Sequence, residues 1–300
     1  MWLEGRRMRI TLPGDEAFVL DPEGRFFRIP RLEASAPVVA AFTTRLGGVS
    51  RGHLAQCNLG LAVGDQPEAV IVNRRRALDR LGLDLASVVA AEQVHGDRVA
   101  RVGRADAGRG AVTRETAIPG VDALITAEPG LTLLIGCADC VPVYLVDPDR
   151  PAIGLAHAGW RGTVNRIAAK TIRAMTEAFG SRPEAVLAAI GPSIGPCCYE
   201  VDEAVAGPVR RSFGETAKKL LVPEDRPDRW RFDLWQANRL VLLEAGLRPE
   251  NLAMAGVCTA CHPELLFSHR ASGGRAGRMA AVLALRPTGE DGLFHRPSSP

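Results

Sequence analysis

Three hundred residues, 46% apolar and 24% charged, describe an ordinary soluble globular protein with enough chain for a large core, in one or two domains. A formal net charge of +3 is too small for a concentrated basic face, so nucleic acid is excluded as an expected partner. No run of about 18 apolar residues could span a membrane, and the opening MWLEGRRMRI lacks an apolar stretch behind its arginines, so neither a membrane segment nor a secretory signal is expected.

In chain order, residues 1–36 read as a short β-rich lead-in with a turn at Asp21-Pro22-Glu23-Gly24. Val38–Thr44 reads as a strand, followed by the glycine-rich loop RLGGVS (45–50) and by Asn58-Leu59-Gly60, where backbone could approach a ligand closely. Pro67 to Leu81 is expected to be helical, with Pro in its first turn and Gly82 past its end. Val88–Val94 is an expected strand ending in Gln93-Val94-His95-Gly96, with Arg98–Val102 returning as its partner. Residues 103–119 read as an exposed loop, and Val121–Thr126 as a strand.

Next come three apolar runs, Leu131–Gly136, Val141–Val146 and Ala152–His157, apolar on both faces like strands in the middle of a buried sheet. Cys137-Ala138-Asp139-Cys140 forms a sharp turn between the first two. A helix from Thr163 to Phe179 has apolar residues near helical spacing and Gly180 as its stop. Ala185–Ile190 is a further strand, Asp233 with Gln236 is a capping box for a helix running to about Ala245, and Leu252–Val257, Leu265–Phe267 and Met279–Leu285 close the sheet. The expected fold is α/β (α+β in its mixture), a mixed β-sheet core flanked by helices. It comprises one catalytic domain over 37–286 and a loose, proline-rich tail over 287–300.

Seven cysteines, an odd number, include the adjacent Cys197 and Cys198 and two C-x-x-C spacings. In a cytoplasmic protein, the compartment expected here, these are thiols or metal ligands rather than a disulfide framework. His95, Cys140 and His157 each close a strand beside a glycine or a turn. Two imidazoles and one thiolate make a three-ligand zinc site with a position left open, the pattern of catalytic zinc. On spacing alone, core packing stands ahead of that reading, because the three are far apart in sequence. A rival four-cysteine site from Cys137, Cys140, Cys258 and Cys261 ranks lower, since strand geometry sends residues three apart to opposite faces; Cys137, Cys258 and Cys261 then read as packing residues. The turn HAGWRGT (157–163) would place Arg161 beside free N–H groups at a helix start, which suits an anion. The alternative is that its glycines only allow the turn. The chain holds 34 Arg against 3 Lys, so any single arginine is weak evidence for an anion site.

The segments QVHG (93–96), DALIT (122–126), CADCVPV (137–143), HAGWRGT (157–163), IGPSIGPCCYEV (190–201) and CTACHPELLFSHR (258–270), with RLGGVS, NLG (58–60) and GRMAA (277–281), resemble the YfiH/laccase-domain family, in its order and over roughly residues 38–285. The resemblance implies that His95, Cys140 and His157 hold a zinc ion. It also implies one of three activities described for the family: polyphenol oxidation with copper, zinc-dependent phosphorolysis of adenosine and inosine with deamination of adenosine, or cysteine-based editing of cell-wall precursors. Several coppers would need ligation mainly by imidazole, and six histidines with no His-x-His pair cannot supply it, so zinc is favoured over copper.

Phosphorolysis asks for an anion site beneath the ribose, contacts to the base and charge stabilisation of the leaving purine, whereas deamination asks for an activated water. The expected purine nucleoside and phosphate contacts are Arg45, Asn58, Gln93, Arg161 and Arg270, and Asp139 is a proton carrier beside Cys140 and His157. A cysteine hydrolase with Cys140 as nucleophile and His157 as base is the competing class. The family usually pairs two arginines after F-S-Y. Here His269-Arg270-Ala271 follows Ser268, so the second arginine is missing. A monomer or small homo-oligomer is expected.

Overall fold

The apolar runs segregate into two six-stranded sheets rather than one, in the computed structural model of the chain, which describes residues 17–287. The expected tail and the first part of the lead-in, residues 1–16 and 288–300, lie outside the described residues. The first sheet runs Val19–Leu20, Phe26–Arg28, Val38–Thr43, Met279–Leu285, Thr132–Cys137, Val88–Ala90. The second runs Leu252–Met254, Leu187–Ile190, Val141–Asp147, Ala152–Ala158, Ala123–Thr126, Val99–Arg101. Both are mostly antiparallel. The parallel pairs are Val88–Ala90 with Thr132–Cys137, Val99–Arg101 with Ala123–Thr126, and Leu187–Ile190 with Leu252–Met254.

Side-chain alternation explains why these strands are apolar on both faces. In Val38–Thr43, Val38, Ala40 and Phe42 enter the core shared by the two sheets, whereas Val39 and Ala41 pack with Leu78 and Leu81 of the Pro67–Arg80 helix or its end. In the second sheet, Tyr144, Val146, Ile153 and Leu155 face the shared core, and Val143, Leu145 and Ala156 pack with Ile172, Met175 and Val241 of the helices Ile167–Phe179 and Leu234–Glu244. The result is four layers, helix, sheet, sheet, helices. Tyr144 is fully buried in the middle, and its hydroxyl donates to the Ala41 carbonyl at 2.8 Å, a cross-sheet bond that satisfies the phenol where no water reaches.

Several expectations are corrected. Val88–Ala90 and Val99–Arg101 are not partners; they sit in different sheets, because His95 takes a left-handed φ of 58° and turns the chain away. Leu265–Phe267 is not a strand, since its residues are buried through loop contacts instead. The helix expected from Thr163 is two helices, Trp160–Val164 and Ile167–Phe179, broken where Arg166 adopts φ 64°. Unforeseen from the sequence are the helix Glu203–Phe213 and a small sheet of Glu200–Val201, Trp230–Phe232 and Leu221–Pro223. Asp233 does cap its helix, accepting from the Gln236 N–H at 2.9 Å. Among the described residues no helix is long and apolar enough to cross a membrane.

Candidate metal centre

Thr132–Cys137 belongs to one sheet and Val141–Asp147 to the other, so the chain crosses between sheets within Ala138-Asp139-Cys140, helped by a left-handed φ of 86° at Asp139. That crossing delivers Cys140 to the end of the sheet stack. His157 arrives beside it near the end of the neighbouring strand, with Pro142 and His157 paired in register. His95 comes from the first sheet, beyond Val88–Ala90. Non-glycine residues with positive φ are uncommon, and two of the four in the described chain, His95 and Asp139, belong to this site.

The ligating atoms of His95, Cys140 and His157 all lie within 4.8 Å of one another. The two imidazole rings meet edge to face, with centroids 5.0 Å apart. His157 is buried, Cys140 half-buried and His95 exposed, so the set is anchored at one end and open at the other. A Cβ on Gly159 would stand 3.0 Å from Cys140 Sγ, so this glycine lets the backbone close over the thiol. Burial raises the Cys140 thiol, but His157 and His95 outweigh it and bring it down to about 6; His157, in turn, is lowered by burial yet raised to about 9 by Cys140 and Asp122. A thiolate beside two imidazoles is a donor set that fits a zinc ion with three protein ligands.

Asp122 organises this trio, although the sequence reading assigns it no role. It is fully buried, and its carboxylate accepts from His157 Nδ1 at 2.8 Å and from the backbone N–H groups of Val94, His95 and Gly96 at 3.1, 3.0 and 2.7 Å. Its own carbonyl accepts the His157 N–H at 2.7 Å. Burial would raise its carboxyl, but the bonds from His157 and these N–H groups hold it below the ordinary range. One carboxylate therefore fixes the His157 tautomer, leaving Nε2 for a ligand, and folds the loop that carries His95. The one faint signal is an acid directly before an apolar strand, where a charge has no local reason to be buried.

The trio lies in a cleft of about 460 Å³, a size that suits a small metabolite. Trp160, Tyr199, Arg161, Arg270, Arg278 and His269 line its walls. Arg161 rests on the Trp160 ring at 4.4 Å and Arg270 on Tyr199 at 5.0 Å. Arg278, named in the sequence only as part of GRMAA, is partly buried and faces the same space.

Other expected contacts fall differently. Arg45 is outside the cleft: its guanidinium donates to the Ala55 and Pro263 carbonyls and covers Phe267. Asn58 is buried, bonding Gly60, Asp65 and the backbone of Arg278, so it supports Arg278 from behind. Gln93 borders the cleft, yet its amide is closed on Gly136 by two 2.8 Å bonds. Asp139 accepts from Thr259 Oγ1 and from the Arg270 N–H, both at 2.6 Å, which ties two loops to the turn that carries Cys140. The Thr163 N–H is not free for an anion. It bonds the Gly159 carbonyl at 2.8 Å, because the helix begins at Trp160. Cys137 is buried in the inter-sheet core, away from Cys258 and Cys261, so the rival four-cysteine set drawn from the two C-x-x-C pairs does not form.

The two-sheet α/β stack is an architecture this chain shares with solved structures. Residues 39–286 match the family model described as "Multi-copper polyphenol oxidoreductase laccase", and the chain belongs to that family. "Purine nucleoside phosphorylase YlmD" of Geobacillus stearothermophilus is 43% identical over 251 residues, covering 84% of this chain and 91% of that protein. "Adenosine deaminase RL5", from an unknown prokaryotic organism, is 34% identical over 241 residues, covering 80% and 91%. The crystal structure of Bacillus licheniformis hypothetical protein YfiH superposes with a TM-score of 0.86 at 37% identity, covering 91% of this chain and all of that one.

Proposed function

We propose that the protein is a zinc-dependent purine nucleoside phosphorylase that cleaves adenosine or inosine with phosphate and deaminates adenosine as a side activity. The observation that carries this reading is the convergence of His95, Cys140 and His157 in a cleft bearing Arg161, Arg270 and Arg278. Relatives named as a purine nucleoside phosphorylase and an adenosine deaminase support it. A bound zinc ion supplies Lewis-acid polarisation and lowers the pKa of a coordinated water to about 7. Around it, Asp122 keeps the Nδ1 proton on His157, and the arginines hold the anion and offset charge as the glycosidic bond breaks. Trp160 and Tyr199 offer aromatic faces to a purine.

Incubating the purified protein with adenosine, with and without phosphate, and resolving adenine, inosine and hypoxanthine over time tests the assignment. Phosphate-dependent release of free base is expected; its absence with a fully metallated sample overturns the phosphorylase reading. Arg161→Ala should weaken phosphate use about ten- to a hundredfold, as loss of a charge-assisted contact does, with deamination of adenosine reduced far less. If both activities fall together, Arg161 holds the nucleoside or the fold instead.

A cysteine hydrolase remains the second reading, because the Cys140 thiol is held at about 6 with His157 beside it. Alkylation separates the two: a metal-bound thiolate resists iodoacetamide until chelator is added, whereas a free nucleophile reacts at once. The copper-oxidase description finds little support in the ligands. Of the histidines among the described residues, only His95 and His157 join a group of potential metal ligands.

A further inference from the structure

The cysteines that the nucleoside reading leaves unused form a second cluster. Sγ atoms of Cys197, Cys198, Cys258 and Cys261 all lie within 4.8 Å of one another, with Cys197–Cys261 at 3.5 Å and Cys198–Cys261 at 3.4 Å. We propose that these four thiolates bind a second zinc ion, in a closed structural site separate from the His95–Cys140–His157 centre.

Local structure explains why they converge. Cys258 caps and Cys261 ends a 3-10 turn, Thr259–Cys261, and at three residues per turn positions three apart stack on one side. Strand geometry would have parted them, which is why they read as packing residues in the sequence. The adjacent Cys197 and Cys198 are carried by a tight turn in which the Cys198 and Tyr199 N–H groups both bond the Gly195 carbonyl at 3.0 Å. The two segments are joined by backbone: Ser193 pairs with Cys258 as a parallel bridge, and Thr259 N–H bonds the Ser193 carbonyl at 3.0 Å.

The separations suit zinc. Metal–sulfur bonds near 2.3 Å give a tetrahedron with edges of about 3.8 Å, reachable from here by small side-chain rotations. Disulfides would need sulfurs about 2.05 Å apart, and all four are free thiols. The Gly195 N–H already points at Cys258 Sγ, 3.2 Å away, the backbone bond that stabilises a ligating thiolate. Cys197 and Cys261 are exposed and Cys258 is buried, so an ion can enter from solvent and still be enclosed. Four thiolates leave no open position and favour a soft, tetrahedral cation over magnesium or calcium. The ion would staple the Gly195–Glu200 turn to the 258–261 segment. Tyr199 from the first borders the catalytic cleft, and Thr259 from the second holds Asp139.

The test uses the full chain, purified under reducing conditions, with zinc counted per chain and cobalt(II) exchanged in. Wild type should hold about two ions, and His95→Ala about one. Cobalt in His95→Ala should show the intense thiolate charge-transfer and visible bands of a four-sulfur site. Cys261→Ser and Cys197→Ser should each lose those bands and one ion. A His95→Ala that holds no ion, or a cobalt-loaded His95→Ala without thiolate bands, overturns the proposal. So does a disulfide among the four found by mass spectrometry of the freshly purified, reduced chain. A single ion in wild type with those bands present in His95→Ala counts against the His95–Cys140–His157 centre instead. Because wild type and His95→Ala leave the cluster untouched, these two proteins decide the question even if a cysteine variant fails to fold.

Discussion

Asp122→Ala is expected to lose at least about a hundredfold in metal affinity at the His–Cys–His centre and a comparable factor in kcat/KM for nucleoside cleavage. Its carboxylate is the one group bound to both arms of the site, with the His157 ring on one side and three consecutive N–H groups of the His95 loop on the other. Outer partners of metal-ligating histidines typically contribute ten- to a hundredfold each, and here one residue serves two ligands. Removing the carboxylate leaves the buried His157 Nδ1–H and three N–H groups without their acceptor, at about 1–3 kcal/mol for each buried donor left unpaired, so the alanine variant should also melt at a lower temperature. Asp122→Asn separates the effects. It keeps the volume and one acceptor oxygen but loses the charge that favours a protonated Nδ1.

The carboxyl is held below its ordinary range in the native state, so ionised Asp122 contributes stability at pH values above the unfolded pKa. That contribution is lost as pH falls through the depressed native value. The acid side of the stability profile should accordingly be flatter in Asp122→Asn. Zinc affinity by competition with a chromophoric chelator decides the matter: an Asn variant within threefold of wild type would show that Asp122 is only a packing element.

What can be read from residue order follows from which forces are local. His95, Cys140 and His157 stand out as candidates because each lies at the end of an apolar run beside a glycine or turn, but that local pattern alone favours core packing, and it is the family resemblance that points to a metal. The partition into two sheets is not, because Val88–Ala90 and Val99–Arg101 look alike as apolar runs, and their separation depends on pairing with strands far along the chain. Asp122 escapes notice because its burial is offset by N–H groups nearly thirty residues upstream and a histidine thirty-five residues downstream, which no local pattern reveals. Arg45 misleads for the opposite reason. Its glycine-rich loop suggests a ligand, yet the guanidinium is spent on carbonyls of Ala55 and Pro263. The break at Arg166 is not read from the sequence, since arginine is a good helix former; it nevertheless adopts a left-handed φ of 64°, with its guanidinium bonding Glu244 and the Ser212 carbonyl.

Each of His95→Ala, Cys140→Ala and His157→Ala should lose one metal ion per chain and lower nucleoside cleavage by roughly a thousandfold or more, about 4 kcal/mol of transition-state stabilisation. Losing one of three ligands turns a closed chelate into a pair of donors, and a two-donor site cannot hold the ion against dilution. The cost to the fold differs among them. His95 is exposed and Cys140 half-buried, so truncating either opens little cavity. His157 is buried, and its removal leaves the Asp122 carboxylate without its ring partner, so His157→Ala should destabilise the chain as well.

Cys140→Ser is the sharpest member of the series, since oxygen replaces sulfur with almost no change in shape but removes the thiolate that two imidazoles hold near neutrality. Its metal-free form should unfold at nearly the temperature of metal-free wild type, while it binds zinc far more weakly and leaves a cobalt spectrum that retains only the bands of the four-cysteine site. Full zinc retention in Cys140→Ser and in both histidine variants would remove the centre from the protein's chemistry. Retained zinc with lost activity in Cys140→Ser alone would instead make Cys140 the nucleophile of the hydrolase reading.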